Sequence, residues 1–133
     1  MRYVTGEEIL AIHSDIIDET GGIHGVRDTG LFLSIIEQPK MTVFGKSAYP
    51  TIFHIAGKYL ESFAQYQVFL DGNKRTGIAV AARSLYLNGF ELSATAKELE
   101  RFTFAVALKK YDFEEVVAWL KRKSKKSKSQ TRT

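Results

Sequence analysis

The densest chemistry in this chain lies in one short run: Asp71, Gly72, Asn73, Lys74 and Arg75, preceded by Phe69 and Leu70 and followed by Thr76. Gly72 lets the backbone turn tightly or approach a ligand. Asn73, Lys74 and Arg75 then read as a helix's first turn. There the amides are unpaired and the helix dipole is positive, so an anion is favoured. Two cations in a first turn oppose that dipole, at about a few tenths of a kcal/mol each. A bound phosphate chain reverses the sign. Arg75 can fork onto phosphate oxygens and Lys74 supplies a point charge. Asp71 is the natural ligand for a magnesium ion bridging the phosphates. The same residues also admit a purely structural account, in which Asp71 caps the helix while Lys74 and Arg75 are solvated. The run is neither a P-loop nor a dinucleotide fingerprint, since G-x-x-x-x-G-K-S/T and G-x-G-x-x-G are both absent.

The elements that must position this run read as helices nearly throughout. Thr5 and Glu8 form a capping pair ahead of Ile9, Ile12 and Ile16 on one face, and Gly21 and Gly22 stop that helix. Asp28 can cap a short second helix through Leu31, Ile35 and Ile36, ended by Pro39. Residues 41–49, with Val43 and Phe44 around Gly45, suit a small hairpin or flap. Pro50 suits the first turn of a third helix. Its stripe is Ile52, Ile55, Ala56, Tyr59, Leu60 and Phe63, and the periodicity carries it on toward Gln67. A fourth helix starts near Asn73 and runs to Asn88, with Ile78, Ala81, Ala82 and Leu85 inward and Gly89 past its end. Ser93 or Thr95 opens a fifth, with Leu99, Phe102 and Val106 inward. Asp112 and Glu115 cap a last one, whose stripe is Phe113, Val116, Val117 and Leu120. Short connections predict a single compact all-α domain of about six helices over residues 1–120, its third and fourth helices central.

Composition narrows the function classes. At 133 residues and 44% apolar the chain is one domain with a real core. No apolar run approaches the ~20 residues of a membrane span, so no membrane association is expected. The first ten residues hold two Glu and no signal-like apolar stretch, and there is no cysteine, which fits a cytoplasmic protein without disulfides or thiolate metal sites. The net charge of +4 is unevenly placed. Seven of the nineteen Lys and Arg lie in residues 121–133, leaving twelve against fifteen acids, a net of −3, in residues 1–120. The domain therefore offers no electrostatic case for DNA. Only the basic tail does, and its composition reads as a solvated, disordered end.

The run Gln67, Val68, Phe69, Leu70, Asp71, Gly72, Asn73, Lys74, Arg75, Thr76 resembles the central motif of the Fic/Doc superfamily, H-x-F-x-D-G-N-K-R in its Doc branch. A second block supports the resemblance: residues 21–31, then Phe44 and Gly45, Tyr49 and Pro50, with Asn88 and Gly89 after the motif helix. The resemblance implies an all-α fold and a motif loop that serves as an anion hole for a nucleotide. It places Phe69, Gly72, Asn73, Lys74, Arg75 and Thr76 at the nucleotide, with Asn73, Lys74 and Arg75 holding phosphates, and Asp71 assisting Mg2+ with ATP or another NTP. The AMP-transferring Fic branch has Gly in place of Lys74 and Arg in place of Ile78; this chain follows the Doc pattern at both. The resemblance to the Doc branch implies a plasmid-addiction toxin that phosphorylates a threonine of elongation factor Tu and is neutralised by a small antitoxin. The flap near 43–49 would help to position the target. No Glu here is followed by the Gly or Asn of the family's self-inhibitory helix, so an inhibitory helix would be supplied in trans by the antitoxin.

One position departs from the pattern. The family's general base is the motif's first residue, a His, and here it is Gln67. A carboxamide cannot take up a proton near neutral pH. A general base typically contributes about 10²–10⁴-fold, although a loose phosphoryl transfer asks less of one. Of the three histidines, His54 lies about 20 Å from Gln67 along a continuous helix. His13 reads as a surface or rim residue on the first helix. His24, in a glycine-rich loop, is the one with freedom to approach. Their spacing offers no zinc site. Tyr59, Phe63, Phe102, Phe104 and Trp119 read as core, and Arg83 as a salt-bridge partner.

The sequence thus points to a Doc-like toxin that transfers phosphate, or in second place AMP, to a hydroxyl of a translation protein, as a Ser/Thr kinase or nucleotidyltransferase impaired at Gln67. The alternative is a catalytically inactive relative that binds a nucleotide or partner.

Overall fold

Five of the six α-helices among the described residues begin at a side-chain cap. The computed structural model describes residues 1–127. Along the chain come α1 (Gly6–Thr20), α2 (Thr29–Glu37), a 3-10 turn (Gln38–Lys40), strands β1 (Thr42–Val43) and β2 (Lys46–Ser47), α3 (Ile52–Gln65), α4 (Asn73–Leu87), β3 (Phe90–Leu92), α5 (Ala96–Ala107), α6 (Phe113–Arg122) and β4 (Ser124–Lys126). At α1, α5 and α6 the N-cap side chains of Thr5, Thr95 and Asp112 accept from the N3 amides, while Glu8, Glu98 and Glu115 accept from the N-cap amides. Asp28 caps α2 through the Leu31 amide and Thr51 caps α3 through the His54 amide. The expected all-α architecture of six helices holds, with the flap realised as the β1–β2 hairpin.

α3 and α4 form the centre. Tyr59, Leu60 and Phe63 of α3 and Val80, Ala81 and Leu85 of α4 are fully buried. Burying each of the larger apolar side chains stabilises the fold by roughly 1.5–3 kcal/mol. Gly77 lets the two helices close in, since a Cβ there would stand 3.1 Å from Phe63 Cβ and 3.3 Å from the Leu60 carbonyl. One apolar cluster joins α3 to α1, α2 and the loop before α4 through Ile9, Phe32, Ile35, Ile55, Phe63 and Phe69. A second joins α3 and α4 to α5 and α6 through Leu60, Leu85, Phe102, Val106, Val116 and Leu120. At the far end of α4, Asn88 accepts from the Arg2 amide (2.9 Å) and donates to the carbonyls of Arg2 and Ser84 (both 2.8 Å).

Several expectations are corrected. The buried stripe of α1 is Ile9, His13 and Ile17, rotated from Ile9, Ile12 and Ile16, because α1 packs against the loop before α4 and uses a polar ring to do so. α3 ends at Gln65, where Tyr66 turns extended, so Gln67 lies beyond the helix. Pro50 precedes the cap rather than entering the first turn. Phe104 is 50% exposed instead of core. The basic tail was placed from residue 121, yet α6 runs through Arg122 and β4 pairs antiparallel with β3, Phe90 opposite Lys126 and Leu92 opposite Ser124. Its ladder bonds need only backbone, which a Lys-rich composition does not forbid. The remainder of the expected tail, residues 128–133, lies outside the described residues. Arg83 does form an ion pair, with Glu8 at 3.2 Å.

Candidate functional site

The loop from 67 to 72 is held by the chain's own hydrogen bonds. The glycine-rich segment after α1 lies alongside it. The amides of Arg27 and Asp28 donate to the Val68 carbonyl (2.8 and 3.2 Å), and the Leu70 amide donates to the Gly25 carbonyl (3.1 Å). Arg27 Nη1 donates to the Gln67 carbonyl (2.9 Å), and the Ile23 amide donates to Asp71 Oδ2 (2.9 Å). Asn73 closes the loop from the other side. Its Oδ1 accepts from the amides of Val68 and Phe69 (3.1 and 2.8 Å), and its Nδ2 donates to the Phe69 carbonyl (2.9 Å).

Gly72 is the N-cap of α4, at φ 78° and ψ 19°, with no side chain capping the helix. A left-handed residue at that point is the place for glycine. The carboxylate of Asp71 points instead to Ile23, so the purely structural account in which Asp71 caps the helix does not describe this loop. The first intrahelical bond runs from the Thr76 amide to the Gly72 carbonyl (2.9 Å). The amides of Asn73, Lys74 and Arg75 therefore precede it and open the helix with its positive end outward.

These residues line a groove of about 710 Å³ that also takes in Tyr66, Gln67, Leu70, Ile78, Leu99 and Phe104. Asp71, Gly72, Asn73, Lys74 and Arg75 all reach it. Lys74 Nζ stands 5.9 Å from the Phe104 ring centroid, a cation–π contact on the α5 wall. Arg75 donates from Nη1 to Thr20 Oγ1 at the end of α1. Gln67 is exposed at the rim. Phe69 and Thr76 are fully buried and do not line the groove. Phe69 instead stacks between His13 and Phe63, at 3.8 and 5.9 Å between centroids. The side chain of Asn73 is occupied within the loop, which leaves its backbone amide for an anion.

The histidines fall differently from the sequence reading. His24 binds Asp18 (2.8 Å) on the exposed side of its loop, and His54 lies between Thr51 (2.7 Å) and Glu114 (3.5 Å) on α3. His13 is 4% exposed, and its Nε2 lies 2.7 Å from the Asp71 carbonyl. Sequence reasoning placed it at the surface. The signal that could have found it is its spacing, four residues from Ile9 and four from Ile17, on the stripe α1 buries. Among the described residues no three metal-ligating side chains cluster. A cation here would hold to one oxygen of Asp71 and complete its shell with phosphates and water, which is the usual habit of magnesium. No helix among the described residues is long and apolar enough to cross a membrane.

The sequence matches the family model described as the Fic/DOC family over residues 3–85, which spans α1 through most of α4. It is 38% identical over 93 residues to Toxin Doc of Mycolicibacterium smegmatis, covering 70% of this chain and 69% of that one. It is 31% identical over 125 residues to the protein kinase doc of Escherichia phage P1, covering 92% and 95%. The motif loop and the glycine-rich segment that pairs with it both fall within the residues that the family model matches, and the chain belongs to the Fic/DOC family.

Proposed function

We propose that this chain is a Doc-like toxin that transfers phosphate from magnesium-bound ATP, or another nucleoside triphosphate, to a hydroxyl of a translation protein such as elongation factor Tu. The observation that carries the reading is the uncapped start of α4, with Gly72 in a left-handed turn, Lys74 and Arg75 in the first turn and Asp71 beside them on one groove. The likeness to a toxin and to a protein kinase of the Doc group supports it.

In this reading the amides of Asn73, Lys74 and Arg75 receive the phosphates, and the two cations balance their charge. Asp71 would hold a magnesium ion, which would supply further charge neutralisation. The acceptor hydroxyl forms a new bond to the terminal phosphorus as the bond from that phosphorus to the bridging oxygen breaks and the nucleoside diphosphate leaves. Gln67 can orient that hydroxyl by hydrogen bonding, but its proton passes to water or to a phosphate oxygen. Leu70, Ile78, Leu99 and Phe104 give the groove an apolar side, which suits an amphipathic helix of an antitoxin.

Calorimetry with magnesium–ATP tests the site. The expected result is binding that Arg75→Ala weakens at least tenfold; no binding by the folded protein, or binding indifferent to that change, overturns it. Labelled phosphate, rather than labelled AMP, appearing on a translation protein tests the reaction.

A second reading is a catalytically inactive nucleotide- or partner-binding module. It is favoured by Gln67, since His13, His24 and His54 are all engaged elsewhere. Sustained transfer of labelled phosphate by the chain as it stands excludes it.

A further inference from the structure

His13 and Asp71 are 58 residues apart, yet one side chain of α1 holds the peptide on which the anion site turns. His13, Ile17 and Thr20 fall at i, i+4 and i+7, one stripe of the helix. Each meets a different part of the loop. Thr20 receives Arg75. Ile17 Cδ1 lies 3.0 Å from where a Cβ on Gly72 would be, and 3.1 Å from one on Gly22. His13 Nε2 lies 2.7 Å from the Asp71 carbonyl. A carbonyl only accepts, so the proton is on Nε2 and the imidazole is the donor. The ring's plane is fixed by its stack on Phe69, 3.8 Å away and 10° from parallel.

We propose that His13 is a positioning residue for phosphate binding: its Nε2–H orients the peptide between Asp71 and Gly72, and through it the amides of Asn73, Lys74 and Arg75. That peptide is a rigid plane flanked by two soft torsions. Turning it changes the φ of Gly72 and hence the direction in which α4 begins. The carboxylate of Asp71 fixes one side of the residue through Ile23. His13 fixes the other, so the left-handed turn has one conformation before any ligand arrives. Affinity gains from this because less ordering is left for the binding step.

The inference rests on the phosphate-binding reading, and the test separates the two. His13→Gln keeps a donor near the Nε2 position but loses the stacked ring. His13→Phe keeps the stack but loses the donor, and His13→Met serves the same purpose should the Phe variant not fold. Ile35→Val, on α2 in the same apolar cluster, controls for general loss of stability. Two quantities are read: the Kd for magnesium–ATP and the backbone amide NMR shifts of residues 72–75 without ligand.

The donor-less variants should shift those amides and bind about tenfold more weakly, the worth of one hydrogen bond of ordinary strength. His13→Gln should stay within about threefold of the wild type, and Ile35→Val should alter neither quantity. Unchanged amide shifts in His13→Phe, or equal losses in His13→Gln and His13→Phe, overturn the role of the donor. If the wild type binds no magnesium–ATP, the proposed function fails while the amide shifts still decide whether His13 sets the turn.

Discussion

Asn73 grips the Phe69 peptide on both sides, accepting from its N–H at 2.8 Å and donating to its C=O at 2.9 Å. A side chain that satisfies an amide and a carbonyl of the same residue acts as a short strand of sheet. It also accepts from Val68, so three bonds close the loop. Asn73→Ala removes all three and leaves partly buried backbone groups unpaired. The expected loss is about 2–3 kcal/mol, at roughly 1 kcal/mol for each bond. Denaturant unfolding measures it, and a loss below about 0.5 kcal/mol would mean that the loop holds without Asn73.

Gly72→Ala tests the turn itself. The residue sits at φ 78°, and the added Cβ would meet Ile17 Cδ1 at 3.0 Å. The left-handed conformation alone should cost about 1–2 kcal/mol in an L-residue. Relief by rotating the turn should remove magnesium–ATP binding measured by calorimetry. A variant with wild-type stability and affinity would show that the turn is not held in place.

The positions of these helices could be read without coordinates because capping is local: Thr5 and Glu8, or Asp112 and Glu115, are three residues apart and write their own helix start. The start of α4 was legible from a local signal too, the glycine at 72 ahead of Asn73, Lys74 and Arg75. What joins α1 to them was not. His13 acts on a carbonyl 58 residues away, and although its spacing from Ile9 and Ile17 puts it on the buried stripe, nothing local says which loop that stripe meets. The β3–β4 ladder was hidden by composition, since a strand rich in Lys reads as solvated although its pairing is made by backbone. Phe104 read as core because its helix spacing does not reveal that α5 turns it toward Lys74.

Acid should weaken the junction of α5 with the end of α6 at a defined pH. Hydrogen bonds from Lys123 and from the Thr95 backbone hold the Glu98 carboxyl down at about 2, against an ordinary value of 4.5. Lys123 Nζ lies 2.7 Å from it. A carboxyl depressed in the folded state stabilises above its unfolded pKa, and the contribution disappears as pH falls through the folded value. The stability difference between wild type and Glu98→Gln should thus be constant above about pH 5 and shrink from there toward pH 2. Thermal melts across that range check it. Because the pair is solvent-exposed, added salt should shrink the difference as well. A difference that grows on acidification contradicts the assignment.

Restoring a base should restore speed. Gln67→His places an imidazole at the groove rim, on a backbone whose carbonyl Arg27 already anchors. Phosphate transfer to the target should rise by about 10²–10⁴-fold, the usual worth of a general base. Transfer rates under single turnover, with nucleotide affinity measured alongside, separate chemistry from binding. A faster rate at unchanged Kd is the expected outcome; no gain would show that the missing base is not what limits the chain.

Asn88 gives α4 a second anchorage. Tied to Arg2 at one end and to α1 at the other, the helix behaves as a beam on two supports, spanning about 22 Å. Residues fused ahead of Met1 would load the Arg2 support, so a purification tag there would bear on the helix whose other end opens the groove.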